Sequence, residues 1–376
     1  MDVQSYRAEF PITEQYAFLN HAAVSTLNRR VTQAVHDVLR DMQLSPFDHL
    51  RDALFERIQL LKRQASTLIN AARVDEVVQM PDTATGINIA ANSLPLRPGD
   101  NVLVVEGDYP ANIYPWLNLA PQGVLVKWVP QHAGGLDLNR LEARIDGRTR
   151  VVALSTAMFA TGFRNDIAAV GALCKQRGIY FVVDAIQTLG AFPLDVQACH
   201  IDFLACGSQK WLLSAPGAGF LYCRHELLDE LKLGPYVGAT SVVDPFNFLD
   251  YNFTLQQTAD RFSLGSPNIL GITALNAAMG LLLEVGIDRN AARILELTTT
   301  LIEDLQQRGY QILSNLDQQH RSGIVIVAHP DPEAAYTQLL AANVVTSVRG
   351  VGLRIAPHFY NTQDDVLRVG EVLGSR

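Results

Sequence analysis

Four short runs in the middle of the chain are apolar almost without a break: Asn101–Val105 (NVLVV), Arg150–Ser155 (RVVALS), Ile179–Asp184 (IYFVVD) and Asp202–Ala205 (DFLA). A strand with one face in water alternates polar and apolar residues, so unbroken runs describe strands covered on both faces. Between them, Leu138–Ile145 and Ile167–Arg177 carry helical spacing, and the second stops at Gly178, a residue suited to the left-handed turn that ends many helices. Strand–helix–strand alternation predicts right-handed crossovers and a mainly parallel α/β sheet with helices on both faces. Gly217–Cys223 (GAGFLYC) follows the Asp202 strand too closely for a helical crossover and is expected to run antiparallel.

The last hundred residues change character. A helix at Ile294–Arg308 is followed by a strand at Gly323–Ala328, a helix at Pro332–Ala342, strands at Val344–Val348 and Gly352–Ile355, and a final helix from Thr362. This is a smaller α+β unit. The expected division is a large domain over 17–284 and a small one built from 1–16 and 285–376.

Composition removes several function classes. Thirty basic residues against 38 acidic ones leave a net charge of −8, and no Lys/Arg run offers a local footprint for nucleic acid. The longest apolar stretch, Ile272–Leu283, is interrupted by Asn276 and is too short to span a bilayer. The first fifteen residues carry Asp2, Arg7, Glu9 and Glu14 without the apolar core of a signal peptide. Four cysteines lack CxxC spacing, and at 48% hydrophobic residues the chain can bury a large core. The expectation is a soluble cytoplasmic protein that contacts neither nucleic acid nor membrane.

Ligands of open α/β sheets gather at the carboxyl ends of the strands. One strand stops at Asp184 and continues Ala185-Ile186-Gln187; the next runs into Ser208-Gln209-Lys210-Trp211; Val77–Met80 leads through Asp82 into Thr83-Ala84-Thr85-Gly86 and a helix. Taken singly, such residues are a helix cap, a solvated lysine and an N-terminal turn. Together they offer a phosphate-binding helix start, a carboxylate for a protonated ring nitrogen, and an amine that condenses with an aldehyde. Pyridoxal 5′-phosphate asks for all three.

On these residues the chain resembles the class V aminotransferase family of fold-type I pyridoxal-phosphate enzymes, in the branch of cysteine desulfurase/selenocysteine lyase-like and isopenicillin N epimerase-like proteins. The resemblance runs from Leu19-Asn20-His21-Ala22-Ala23 to Arg354–Asn361 and is most specific in VVDAIQTLGAFPLDV (Val182–Val196) and DFLACGSQKWLLSAPGAGFLY (Asp202–Tyr222). It implies a seven-stranded type of sheet and a homodimer with shared active sites. Lys210 would bond the cofactor aldehyde and then carry the proton at the substrate's α-carbon; Asp184 would pair with the pyridinium nitrogen and Gln187 with the ring oxygen. Thr83, the backbone of Ala84, Ser208 and Gln209 would hold the phosphate, reached across the dimer by Ser266 of Gly265-Ser266-Pro267. Tyr109 would stack on the ring, Arg354 would take the α-carboxylate in a two-pronged grip, and Asn20 and His21 would line the substrate side.

The departures bear on the reaction. Tyr109, in Gly107–Asn112, stands where desulfurases have a histidine, and a phenol with a pKa of about 10 is a poor acid near neutrality. Phe159 stands where they have an asparagine, and Ala215-Pro216 replaces a Gly-Pro. Their sulfur-accepting cysteine precedes the carboxylate arginine, whereas Ser347–Gly352 contains none and no cysteine follows Cys223. The expected activity on an amino acid is therefore C–S elimination without a persulfide, with epimerisation or transamination as alternatives and a non-catalytic cofactor-binding protein as a remote one. A nicotinamide oxidoreductase would need G-x-G-x-x-G between strand and helix; Gly217-Ala218-Gly219 lacks the third glycine and follows the lysine.

Overall fold

The computed structural model describes residues 2–232, 234 and 236–376, with backbone alone at 47, 48 and 50. In chain order the strands are β1 (Ala17–Phe18), β2 (Val77–Met80), β3 (Asn101–Val105), β4 (Leu125–Val129), β5 (Thr149–Ser155), β6 (Tyr180–Asp184), β7 (Phe203–Gly207), β8 (Gly219–Cys223), β9 (Val325–Ala328), β10 (Val344–Val345), β11 (Ser347–Arg349) and β12 (Gly352–Ile355). Seven of them form one sheet in the order β2-β8-β7-β6-β5-β3-β4. Every pairing in it is parallel except the two made by β8, which runs antiparallel to β2 and β7 as its short connection requires.

Both faces of this sheet are covered, and alternate residues of each strand enter different cores. Leu103, Val152, Val183 and Leu204 pack on one side, while Val104, Ala153, Val182 and Ala205 pack on the other. Each large aliphatic side chain so buried contributes about 1.5–3 kcal/mol. The helix Thr83–Ser93 begins where Asp82 Oδ1 accepts from Thr85 N at 2.7 Å. It crosses β7 so tightly that a Cβ on Gly86 would lie 2.7 Å from Ala205 Cβ. Helix Ile167–Arg177 starts on the Asp166 side chain and stops at Gly178, whose φ of +62° is left-handed.

The C-terminal unit holds the antiparallel sheet β11-β12-β9, and β1 pairs in parallel with β10. Ala17 and Leu19 share its core with Leu297, Val325, Val344 and Val366. Three expected elements change. The strand foreseen over Val344–Val348 is divided at Thr346: β10 pairs with β1, whereas β11 pairs with β12. The helix foreseen at Ile294–Arg308 occupies Ile287–Gln307, because Gly286 (φ +88°) joins it to Ile269–Val285 without a loop. The helix at Leu138 closes at Glu142 instead of reaching Ile145. Among the described residues no single helix is long and apolar enough to cross a membrane.

Candidate functional site

After β3 the chain moves outward to β4 and then returns to the other side of β3 as β5, so the winding reverses between β3 and β5. The crevice outside such a switch point collects ligands. At the carboxyl ends of β3, β5, β6 and β7 stand Tyr109, Ser155, Asp184 and the turn Ser208–Lys210.

Asp184 is 1% exposed. Its Oδ1 accepts from Ile186 N at 2.9 Å, while Oδ2 is buried without a partner. Burial, helped by the charge of Asp108, pushes its carboxyl up to about 7, against the pull of the Ile186 N–H and Lys210. Asp108 itself is buried and gathered by four donors: Ser155 Oγ (2.6 Å), Ser155 N (3.1 Å), Asn112 Nδ2 (3.0 Å) and Tyr109 N (2.7 Å). Sequence reasoning passed over this acid. The signal was present in a carboxylate three residues beyond the buried strand β3.

Lys210 is 8% exposed, with Nζ 5.2 Å from the centroid of the Tyr109 ring. Burial lowers its amine to about 8; Asp184 opposes the shift, and the charges of Arg354 and Arg349 add to it. Such an amine is half-neutral near pH 8, against 10.5 for an ordinary lysine. In the cofactor-free protein, labelling of Lys210 by an uncharged amine reagent should therefore rise with pH and reach half its plateau near 8. A midpoint near 10 would mean a solvated amine.

Arg354, on β12, is buried. It donates through Nε to Ser347 Oγ (3.2 Å) and through one terminal nitrogen to the Phe159 carbonyl (3.2 Å); its other terminal nitrogen is buried without a partner. Burial and Arg349 lower it to about 9, which leaves it charged at neutral pH. Phe159 packs edge-on against Tyr109, ring centroids 5.2 Å apart. Gln187 donates to the Ala22 carbonyl (3.2 Å) and accepts from the indole of buried Trp211 (3.2 Å).

Gly207 marks the other end of the site. A Cβ there would sit 2.7 Å from Gln209 Oε1 and 3.3 Å from Thr83 Oγ1. Thr83 Oγ1 accepts from Gly207 N at 2.8 Å, which leaves its own proton to donate. Ala84 occupies the first turn of the same helix. Ser208 is buried close by, with its hydroxyl donated to the Ala215 carbonyl at 2.5 Å.

His21, Asn20 and Ser266 complete the set of expected residues. The ring nitrogens of His21 are both engaged, Nδ1 with the Ala356 carbonyl and Nε2 with the Tyr360 hydroxyl (2.8 Å each). Burial lowers His21 to about 4, so it is a neutral wall residue. Asn20 bridges to Ala356 and keeps a buried Oδ1 without a partner. Ser266 is exposed on a cavity of about 330 Å³, which also includes Pro81, Thr85 and Gly217.

The donor set fits pyridoxal phosphate. Asp184 Oδ2 is a buried acceptor awaiting an N–H, Arg354 offers a buried N–H awaiting an anion, and a side chain at Gly207 would fill the cradle between Thr83 and Gln209. The family model of class-V aminotransferases matches residues 17–369. An uncharacterised aminotransferase of Bacillus subtilis, YcbU, is 28% identical over 369 residues, covering 96% of this chain and 95% of that protein. A cysteine desulfurase of Salmonella newport is 32% identical over 301 residues, 76% of this chain and 73% of its own length. The crystal structure of the cysteine desulfurase CsdA from Escherichia coli superposes with a TM-score of 0.86 at 25% identity, covering 99% of this chain and 98% of that one. Sequence and fold agree along nearly the whole length, and the protein belongs to the class V aminotransferase family, whose members are pyridoxal-phosphate-dependent enzymes.

Proposed function

We propose that this enzyme breaks the Cβ–S bond of a sulfur-bearing amino acid by β-elimination, without passing sulfur to a cysteine of its own. The observation that carries the reading is the placement of the thiols. Cys174, Cys199, Cys206 and Cys223 are all buried and free, and burial raises every one of them, Cys174 to about 12 and Cys199 to about 11. A sulfur acceptor must be an accessible thiolate. The turn between Ser347 and Arg354, beside the carboxylate arginine, has none.

When bound, the cofactor supplies a reactive aldehyde and a sink for the electrons released at the α-carbon. Lys210 provides the amine for that aldehyde and then accepts the α-proton. Asp184 would hold the ring nitrogen protonated, Gln187 would offer its carboxamide to the ring oxygen, and Tyr109 would stack on the ring. Thr83, the Ala84 backbone, Ser208 and Gln209 hold the phosphate, with the Ser208 hydroxyl rotating from Ala215. Arg354 orients the substrate through its α-carboxylate, with Asn20 on the same wall. The Cβ–S bond then breaks with its electron pair leaving on sulfur, and hydrolysis of the three-carbon remainder gives pyruvate and ammonia.

Incubating the holoenzyme with cysteine and with cystine, while trapping protein-bound persulfide, tests this reading. Pyruvate without persulfide is the expected result. Alanine released in step with a persulfide on any of the four cysteines overturns it, whereas racemised substrate or a pyridoxamine form of the cofactor would select epimerisation or transamination instead.

The site is also proposed to be shared between two copies of the chain. Tyr236, Phe246, Phe248, Leu249, Tyr251 and Phe253 are exposed in one stretch, an apolar surface that favours burial against a partner, and Ser266 follows it in sequence. Lys210→Ala and Ser266→Asp homodimers should each be inactive. Refolding them together should restore activity through one intact site per mixed dimer. A fully active monomer, or mixing without recovery, would count against a shared site.

A further inference from the structure

Arg349 is a second cation at the substrate wall that the proposed reaction does not use. In the antiparallel pairing of β11 with β12, Ser347 faces Arg354 and Arg349 faces Gly352. Directly opposed residues share a face of the sheet, and so do residues two apart on one strand. Arg349 and Arg354 therefore rise from the same face as diagonal neighbours, a relation that spans roughly 7–8 Å. Gly352, opposite Arg349, has no side chain to cover it.

The surroundings leave this cation unmatched. Arg349 is half-buried, and its guanidinium donates to the carbonyl of its own neighbour Val348 at 2.6 Å. Among the described residues it forms no ion pair. Its charge reaches both Arg354 and Lys210, lowering each. Two guanidinium groups side by side, one with a buried N–H that has no acceptor, hold more positive charge than a single α-carboxylate neutralises.

We infer that Arg349 forms a second anion subsite beside Arg354 and selects α-amino acids whose side chain carries a carboxylate or a sulfonate. This rests on the assignment of Arg354 to the α-carboxylate. A forked guanidinium suits either oxyanion, and its selectivity comes from leaving a half-buried charge unpaired when the amide isostere binds instead.

The test titrates the holoenzyme with L-aspartate against L-asparagine, L-glutamate against L-glutamine, and L-cysteate, reading the change in visible absorbance. At least one acidic ligand should bind ten or more times tighter than the neutral ligand of the same size. That preference should collapse to within threefold in Arg349→Met and persist in part in Arg349→Lys. The order of aspartate, glutamate and cysteate separates carboxylate from sulfonate and sets the reach. A wild-type preference below tenfold overturns the inference, as does a tenfold preference retained in Arg349→Met; should that variant not fold, the wild-type ratio decides. Borohydride trapping of the cofactor on Lys210 keeps the two readings apart, because its failure removes the proposed function, whereas trapping without acid preference removes only the subsite.

Discussion

Lys210→Ala should lower turnover on the order of 10⁴-fold or more, because the group proposed to bond the aldehyde and the group proposed to move the α-proton disappear together. Borohydride treatment of the wild-type holoenzyme should fix the cofactor irreversibly on one peptide, the one carrying Lys210, and the variant should retain none after dialysis. The size of the loss follows from the site. No other lysine replaces it: Lys62 is buried in an ion pair with Asp260, Lys127 is paired with Asp146, Lys232 donates to the Leu96 carbonyl, and Lys175 is exposed on helix Ile167–Arg177. Turnover within tenfold of wild type, or trapping on another lysine, would show that the amine between Asp184 and Tyr109 is not the reactive one.

Asp184→Asn is expected to cost on the order of 10²–10³ in kcat while leaving cofactor capture in place. A carboxylate facing a protonated ring nitrogen keeps that proton; a carboxamide of the same shape cannot do so in a buried setting. The same substitution has a signature that needs no cofactor. Asp184 titrates near 3.8 when unfolded and about 7 in the cofactor-free fold, so between those values the folded chain binds more protons. Its contribution to stability is present below about pH 4 and is lost as pH rises towards 7. Asp184→Asn removes that slope, which denaturant titrations of the two cofactor-free proteins at pH 4 and pH 7 would detect. Equal kcat in variant and wild type would reduce Asp184 to a helix-side cap.

Much of the large sheet was legible because strands buried on both faces write themselves as apolar runs. β3 coincides with its run, and β5, β6 and β7 begin within one residue of theirs. The antiparallel return of β8 was legible from the shortness of its connection. What failed was whatever depends on a partner distant in the chain. Val344–Val348 reads as one strand, since nothing about Thr346 announces that two different strands divide the segment between them. The helix foreseen from Ile294 begins at Ile287, because Gly286 ends one helix and starts the next. The candidate site divides in the same way. Asp184 and Lys210 follow apolar runs and could be picked out by eye. The engagement of both His21 nitrogens depends on Ala356 and Tyr360, more than 300 residues away, and the four donors around Asp108 include Ser155, 47 residues on.

The contact between Gly86 and Ala205 shows how such a site can be damaged from outside. Helix Thr83–Ser93 is aligned on β7 by a missing methyl group, and the same two elements carry Thr83 and Gly207 beside the proposed phosphate cradle. Any side chain at position 86 acts as a wedge. It would lever the first helical turn off the strand and widen the gap that Thr83 Oγ1 and Gly207 N now close at 2.8 Å. A sequence could thus keep every residue of the cofactor site and still hold its phosphate poorly. In a chain of this fold, the size of the residue one turn into that helix is as informative about cofactor retention as the lysine itself.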